Sequence, residues 1–130
     1  MSSLKTEQYQ LHQWEPGDSV LREEFNENFA KLDVSTRLFF GSYTGDGAAE
    51  RLISLPITPK AVLVVGASGY MQASSGPYGG LAIAGSPVTN SANGGGAVAI
   101  EITDSGFVTH NGVSVNANSS GWLYHYIALA

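Results

Sequence analysis

The chain has 130 residues, no cysteine, a net charge of −5 and only six basic residues. That length suits one principal domain with a real core and a small appended arm. The scattered Lys5, Arg22, Lys31, Arg37, Arg51 and Lys60 form no cluster able to displace counterions from phosphates, which argues against nucleic acid as a partner.

Without cysteine there is no disulfide framework, no thiolate nucleophile and no Cys-type zinc site. No apolar run approaches the roughly 18 residues of a transmembrane helix, so no membrane insertion is expected. Met1 to Thr6 lacks the apolar stretch of a cleaved secretory signal, and any role outside the cell is expected to use another exit route.

Charge is distributed unevenly. Gln13 to Asp33 holds eight charged residues, whereas Ala61 to Ala130 holds two, Glu101 and Asp104. The first seventeen residues place Tyr9, Leu11 and Trp14 in a polar arm, enough for anchors but not for a core, so the arm is expected to be poorly ordered until it docks on a partner. Residues 18–33 then read as an amphipathic helix, because Leu21, Phe25, Phe29 and Leu32 recur at spacings of four, four and three. Asp18 is the predicted N-cap, after the helix-discouraging Pro16 and Gly17, and the charged residues are expected on the solvated outer face. A helix of about 22–24 Å is too short to be stable alone in water, so its stripe must pack on the chain's own domain or on copies or a partner.

From Leu38 the pattern turns β. "AVLVV" (Ala61 to Val65) is the continuous apolar run of a strand buried on both faces, and "AVAIEIT" alternates to place Val98, Ile100 and Ile102 together. "TDSG" supplies a turn, and Asn111-Gly112 is the favoured pair for a two-residue type I′ hairpin. "WLYHYIALA" closes the series, with Trp122, Tyr124 and Tyr126 on one face and Leu123, His125, Ile127 and Leu129 on the other. Residues 97–129 thus read as a four-stranded antiparallel meander, and strands near 38–44, 50–55, 61–66 and 80–84 as a second sheet. The predicted fold is an all-β, antiparallel β-sandwich (37–130) preceded by an N-terminal arm and short amphipathic helix (1–36) for attachment and oligomerisation.

Chemistry-bearing motifs are sparse. Gly66-Ala67-Ser68-Gly69-Tyr70 misplaces the last glycine of a nucleophile elbow, and the glycines at 76–85 fit neither a Walker loop nor a dinucleotide fingerprint. Only Asp46, Glu50, Glu101 and Asp104 could serve a glycosidase, and the last two are more simply a strand-face residue and a turn former. His12, His110 and His125 are far apart, and His125 reads as a hydrogen-bonded histidine on a sheet surface rather than as a metal ligand on a symmetry axis. No enzyme activity, cofactor or metal is expected. The Gly/Ser/Asn segments "GASGYMQASSGPYGG" and "GSPVTNSANGGG" belong in surface loops, where Tyr70, Tyr78, Asn90 and Asn93 are candidate glycan contacts. The alternative is that these are mobile loops with tyrosines packed inward.

"YQLHQWEPGDSVLREEFNENFAKLD" resembles the N-terminal segment of small tail-fibre and baseplate-associated, receptor-binding proteins of tailed phages and prophages of Firmicutes. The residues carrying the likeness are Gln13-Trp14, Asp18, Val20-Leu21-Arg22, Glu24, Phe25-Asn26 and Leu32-Asp33. "GSYTGDGAAERLISLPITPKAVLVVG" and the closing "GWLYHYIALA" are similar to the same family, and together the blocks cover a little under half of the chain. The resemblance implies a structural and adhesive component of a phage tail or phage-tail-like particle, made in the bacterial cytoplasm. It implies attachment to other tail or baseplate proteins through the arm, and homotrimers assembled through Trp14, Leu21, Phe25, Phe29 and Leu32. The β domain would face a host cell-surface glycan. The alternative reading is a free carbohydrate-binding module of a cell-wall-directed protein, and a depolymerase lacks the acids it would need.

Overall fold

A computed structural model describes residues 1–35, 37–93 and 95–130, so the expected 36/37 domain boundary and Gly94 of the 86–96 loop touch residues outside the described set. The chain is mostly β, with antiparallel sheets and one helix, and divides into units 1–36 and 37–130.

In the first unit β1 (Leu4–Lys5) pairs with β2 (His12–Gln13), and α1 spans Arg22–Asp33. The helix therefore starts four residues later than the pattern predicts. Leu21 is its N-cap residue and offers no side-chain cap. Asp18 is drawn away: its Oδ2 accepts from the backbone N–H groups of Ser3 (3.0 Å) and Glu15 (2.8 Å) and from Ser3 Oγ (2.7 Å). A carboxylate with those donors already in reach closes the arm instead of opening the helix.

The arm is not a loose tail. Asn28 on the helix imitates a neighbouring strand, accepting from the N–H of His12 (2.6 Å) and donating to its carbonyl (3.0 Å). Glu24, only 7 % exposed, accepts from the Ser2 N–H at 2.9 and 3.0 Å and from Trp14 Nε1 at 2.9 Å. Glu27 contacts Lys31 and His12 Nε2, each at 2.8 Å, while Lys31 Nζ donates to the Gln10 carbonyl at 2.7 Å. Residues 24, 27, 28 and 31 share one helix face. The expected solvated face thus holds the hairpin, and the apolar stripe beside it stays open.

Burial pushes the Glu24 carboxyl up, but the donors from Ser2 and Trp14 outweigh it and leave it lowered. The Lys31 and then the His12 hydrogen bonds bring Glu27 down to about 2. Carboxyls lowered by folding stabilise the unit above their ordinary range and lose that contribution as pH falls toward the folded value. Trp14 emission, followed in a Trp122→Phe chain, should therefore change between about pH 4.5 and about pH 2. A transition already complete above about pH 5 would remove Glu27 from the explanation.

The second unit contains β3 (Leu38–Thr44), β4 (Glu50–Ser54), β5 (Ala61–Gly66), β6 (Gln72–Ala73), β7 (Gly76–Pro77), β8 (Gly80–Ile83), β9 (Val88–Thr89), β10 (Val98–Thr103), β11 (Gly106–His110) and β12 (Leu123–Leu129). Two four-stranded sheets result, ordered β4-β11-β10-β9 and β3-β12-β5-β8, beside the small β6-β7 hairpin. The predicted strand segments mostly exist, but their grouping differs. β4 pairs with β11, and β12 leaves the expected meander to lie between β3 and β5.

The Asn111-Gly112 hairpin does not form, and neither residue has positive φ. Gly112 N–H reaches the Val115 carbonyl and Ala117 N–H the His110 carbonyl, so a wider loop closes there. Burial decides this: Val115, Ala117 and Asn118 turn into the core, a gain that a two-residue turn would forfeit. Asn118 then pins the 45–49 segment, donating to Asp46 Oδ1 at 2.6 Å and to the Ala48 carbonyl at 3.1 Å. Gly45 fits beside it because a Cβ there would lie 2.0 Å from the Ser119 carbonyl oxygen.

One buried hydrophobic cluster draws residues from both sheets. Phe107 of β11 lies 5.1 Å from the ring of Tyr126 and 6.3 Å from that of Tyr43, which stacks on Tyr124 at 4.8 Å. Val62, Val64, Ala82 and Ile100 complete its fully buried aliphatic part. β5 is not covered on both sides as its run suggests: Val62 and Val64 are fully buried, while Leu63 faces outward and is exposed.

Candidate functional site

The loop after β5 is set by a tight turn. Ser68 (φ 65°) and Gly69 (φ 77°) adopt the left-handed conformation, which lets Gly66 and Tyr70 exchange backbone hydrogen bonds of 2.7 and 3.2 Å. Tyr70 is thereby held at the surface. The chain doubles back through β6 and β7, and the Met71 carbonyl accepts from the N–H groups of both Tyr78 and Gly79. This brings Tyr70 and Tyr78 edge to face, with centroids 5.2 Å apart.

Trp122 is the third ring. It lies 4.7 Å from Tyr78, and its carbonyl accepts from Gly45 N–H at 2.7 Å. The two loops that carry the rings are stitched together by Asn116, whose N–H reaches the Pro77 carbonyl and whose Nδ2 reaches the Ser75 carbonyl at 3.1 Å. Tyr70 and Trp122 are each nearly half exposed, with Tyr78 half-buried between them. The rings therefore form an aromatic platform at the surface, and Tyr78, in its middle, also packs inward against the core.

Asn90 and Asn93 are not brought to it. Asn90 Oδ1 accepts from Ala97 N–H at 2.9 Å and so serves its own loop, and the backbone N–H of Asn93 lies 3.4 Å from Ser91 Oγ. Sequence reasoning found two of the three rings and missed Trp122, which it assigned to strand β12. The available signal was the preceding Gly121, whose φ of 80° ends the turn and turns Trp122 outward.

The platform can stack the apolar face of a sugar ring. No paired acids accompany it. Asp46 is held below the usual carboxylate range, first by the Ala48 N–H and then by Asn118, which suits a structural anchor and not a proton donor. Glu101 pairs with His110 at 3.1 Å. Among the described residues, no three His, Cys, Asp or Glu side chains gather to hold a metal ion, and no helix is long and apolar enough to cross a membrane.

His125 bonds Ser42 Oγ through Nδ1 at 2.7 Å, at directly paired positions of β12 and β3. It resembles a nucleophile–base pair, yet no acid orients the imidazole and the flanking backbone groups belong to the ladder.

The predicted assembly residues lie in the first unit. Trp14 stacks on Phe25 at 4.9 Å, and Phe25 is 6.1 Å from Phe29. Leu21, Phe25, Phe29 and Leu32 all remain exposed, Phe29 at 62 %. Compared with known proteins, the chain matches no family model, no curated protein and no solved structure.

Proposed function

We propose that this chain is a structural and adhesive component of a phage tail fibre or phage-tail-like particle, without enzyme activity. It attaches through its N-terminal unit, assembles as a homotrimer, and presents a β-sandwich to a glycan of the host surface. The observation that carries the adhesive part is the surface platform Tyr70–Tyr78–Trp122, three rings in contact on two loops tied by Asn116. Aromatic faces are the usual partners for the C–H side of sugar rings. The tail assignment is supported by the resemblance of Tyr9 to Asp33 and by the open stripe on α1. A free carbohydrate-binding module would use the same platform but would leave that stripe without a purpose.

Each site is expected to bind weakly, on the order of millimolar, with multiple copies raising avidity. The full chain should sediment with isolated Gram-positive cell walls, and Tyr70→Ala/Trp122→Ala should remove at least about nine-tenths of that adsorption with the assembly mass unchanged. Adsorption equal to the parent would place the receptor site elsewhere and leave this chain as a structural spacer.

A further inference from the structure

The two sheets have different outer faces. Beside exposed Leu52 and buried Val108, the outer face of β4-β11-β10-β9 carries the charged or titratable Glu50, Glu101 and His110. The outer face of β3-β12-β5-β8 carries no charged residue within its paired register. Leu38, Leu129, Ala61 and Ile83 form one row across all four strands, and Phe40, Ile127, Leu63 and Leu81 form the next. Phe40 is 70 % exposed, Leu81 55 % and Ile83 50 %. These strands have the composition of a sheet covered on both sides, but the chain's core covers one.

We infer that this face is where copies of this chain pack against one another. The inference shares only the self-association with the function proposed above, and it assigns that association a surface on the β unit.

Size supports it. At strand spacings of about 4.8 Å and about 3.4 Å per residue, the four strands cover about 400 Å² in plan. That already matches the largest apolar patch of an ordinary monomer, which is about 300–600 Å². Two such faces contribute about 800 Å² in plan, and side chains standing above the sheet raise this toward the roughly 1,200 Å² where specific interfaces begin.

Charge selects the occupant. Copies of a chain with net charge −5 repel over most of their surface, and an uncharged face is where they approach at least cost. An unlike partner would find no charge here to steer it or fix its register. One polar contact of the face is already made within the chain, between Ser42 Oγ and His125 Nδ1 at 2.7 Å.

Shape agrees. An open groove of about 470 Å³ runs between Phe40, Leu63, Val65, His125 and Ile127. One strand over stand Leu81 and Ile83, so the face carries both a groove and side chains able to fill the groove of a neighbouring copy.

The test is light scattering coupled to size exclusion on the full chain. The parent should run at a multiple of 13.6 kDa. Phe40→Glu/Leu63→Glu should run well below the parent mass with its far-ultraviolet circular dichroism unchanged, since both side chains are exposed in the single chain. Leu52→Glu, the same change on the other sheet's outer face, should keep the parent mass. If the double variant does not fold, Leu81→Glu on edge strand β8 carries the same expectation.

A monomeric parent overturns both this inference and the homotrimer. A parent oligomer that Phe25→Asp dissociates but the sheet variants do not overturns this inference alone. An assembled, wall-binding parent that loses adsorption on Tyr70→Ala/Trp122→Ala but keeps its mass in both sheet variants leaves the proposed function standing without this interface.

Discussion

Phe107→Ala should remove about 3–5 kcal/mol of stability from the β unit. Phe107 is fully buried on β11, and its ring lies beside those of Tyr43 of β3 and Tyr126 of β12, which belong to the other sheet. Truncation removes the transfer free energy of a benzyl group and leaves a cavity between two layers that are each pinned by their own ladders. Those ladders resist collapse into the space, so the cost should lie toward the upper end of the range. Against a typical total of about 5–15 kcal/mol, that is enough to leave the unit marginal. Urea unfolding followed by circular dichroism would show the midpoint fall with little change in slope. A loss below about 1 kcal/mol would mean that the two inner faces are not held together through this ring.

Glu24→Ala and Phe25→Asp should produce opposite failures, although the residues are neighbours on α1. Removing the Glu24 carboxylate leaves the Ser2 N–H and Trp14 Nε1–H without their acceptor. The hairpin should then release, with backbone amides from Leu4 to Gln13 exchanging at least about tenfold faster. Phe25→Asp keeps those bonds and loses the Trp14 stack and the Phe29 ring contact, but it places a charge on the stripe. It should keep the protected amides and weaken self-association. Glu24 is thus no neutral control for an assembly test. Hydrogen exchange and light scattering on both variants separate the effects, and equal losses in both measurements would refute the division of the helix into a docking face and an assembly stripe.

Local patterns in the sequence located most strands, because an apolar run such as Ala61–Gly66 or the alternation in Val98–Thr103 needs no distant information. Which strands share a sheet was not legible. β12 pairs with β3 and β5, partners far back along the chain, and no turn signal encodes such a pairing. The Asn-Gly pair misled for a related reason: its local preference is small beside the burial of Val115, Ala117 and Asn118. Asp18 misled because the Ser3 donors that help hold it come into reach only once the arm folds back, reinforcing its local bond to Glu15 N–H. Of the aromatic platform, Tyr70 and Tyr78 were readable as ring-bearing loop residues. Trp122 lies 44 positions beyond Tyr78 and joins them only through the fold. The open stripe on α1 was readable from spacing alone, whereas the role of the charged face beside it was not, since Glu24 and Asn28 find their partners across the hairpin.

β12 occupies an interior position in its sheet although it is the last of the four strands to be synthesised. β3 and β5 have no ladder with each other and meet only through it. A nascent chain on the ribosome therefore cannot complete this sheet until residue 129 has cleared the exit tunnel. Until then the backbone of β3 lacks its ladder, and the rings of Phe39, Phe40 and Tyr43 lack their final neighbours. Folding of this sheet is accordingly dominated by distant pairings, the regime in which rates are slow.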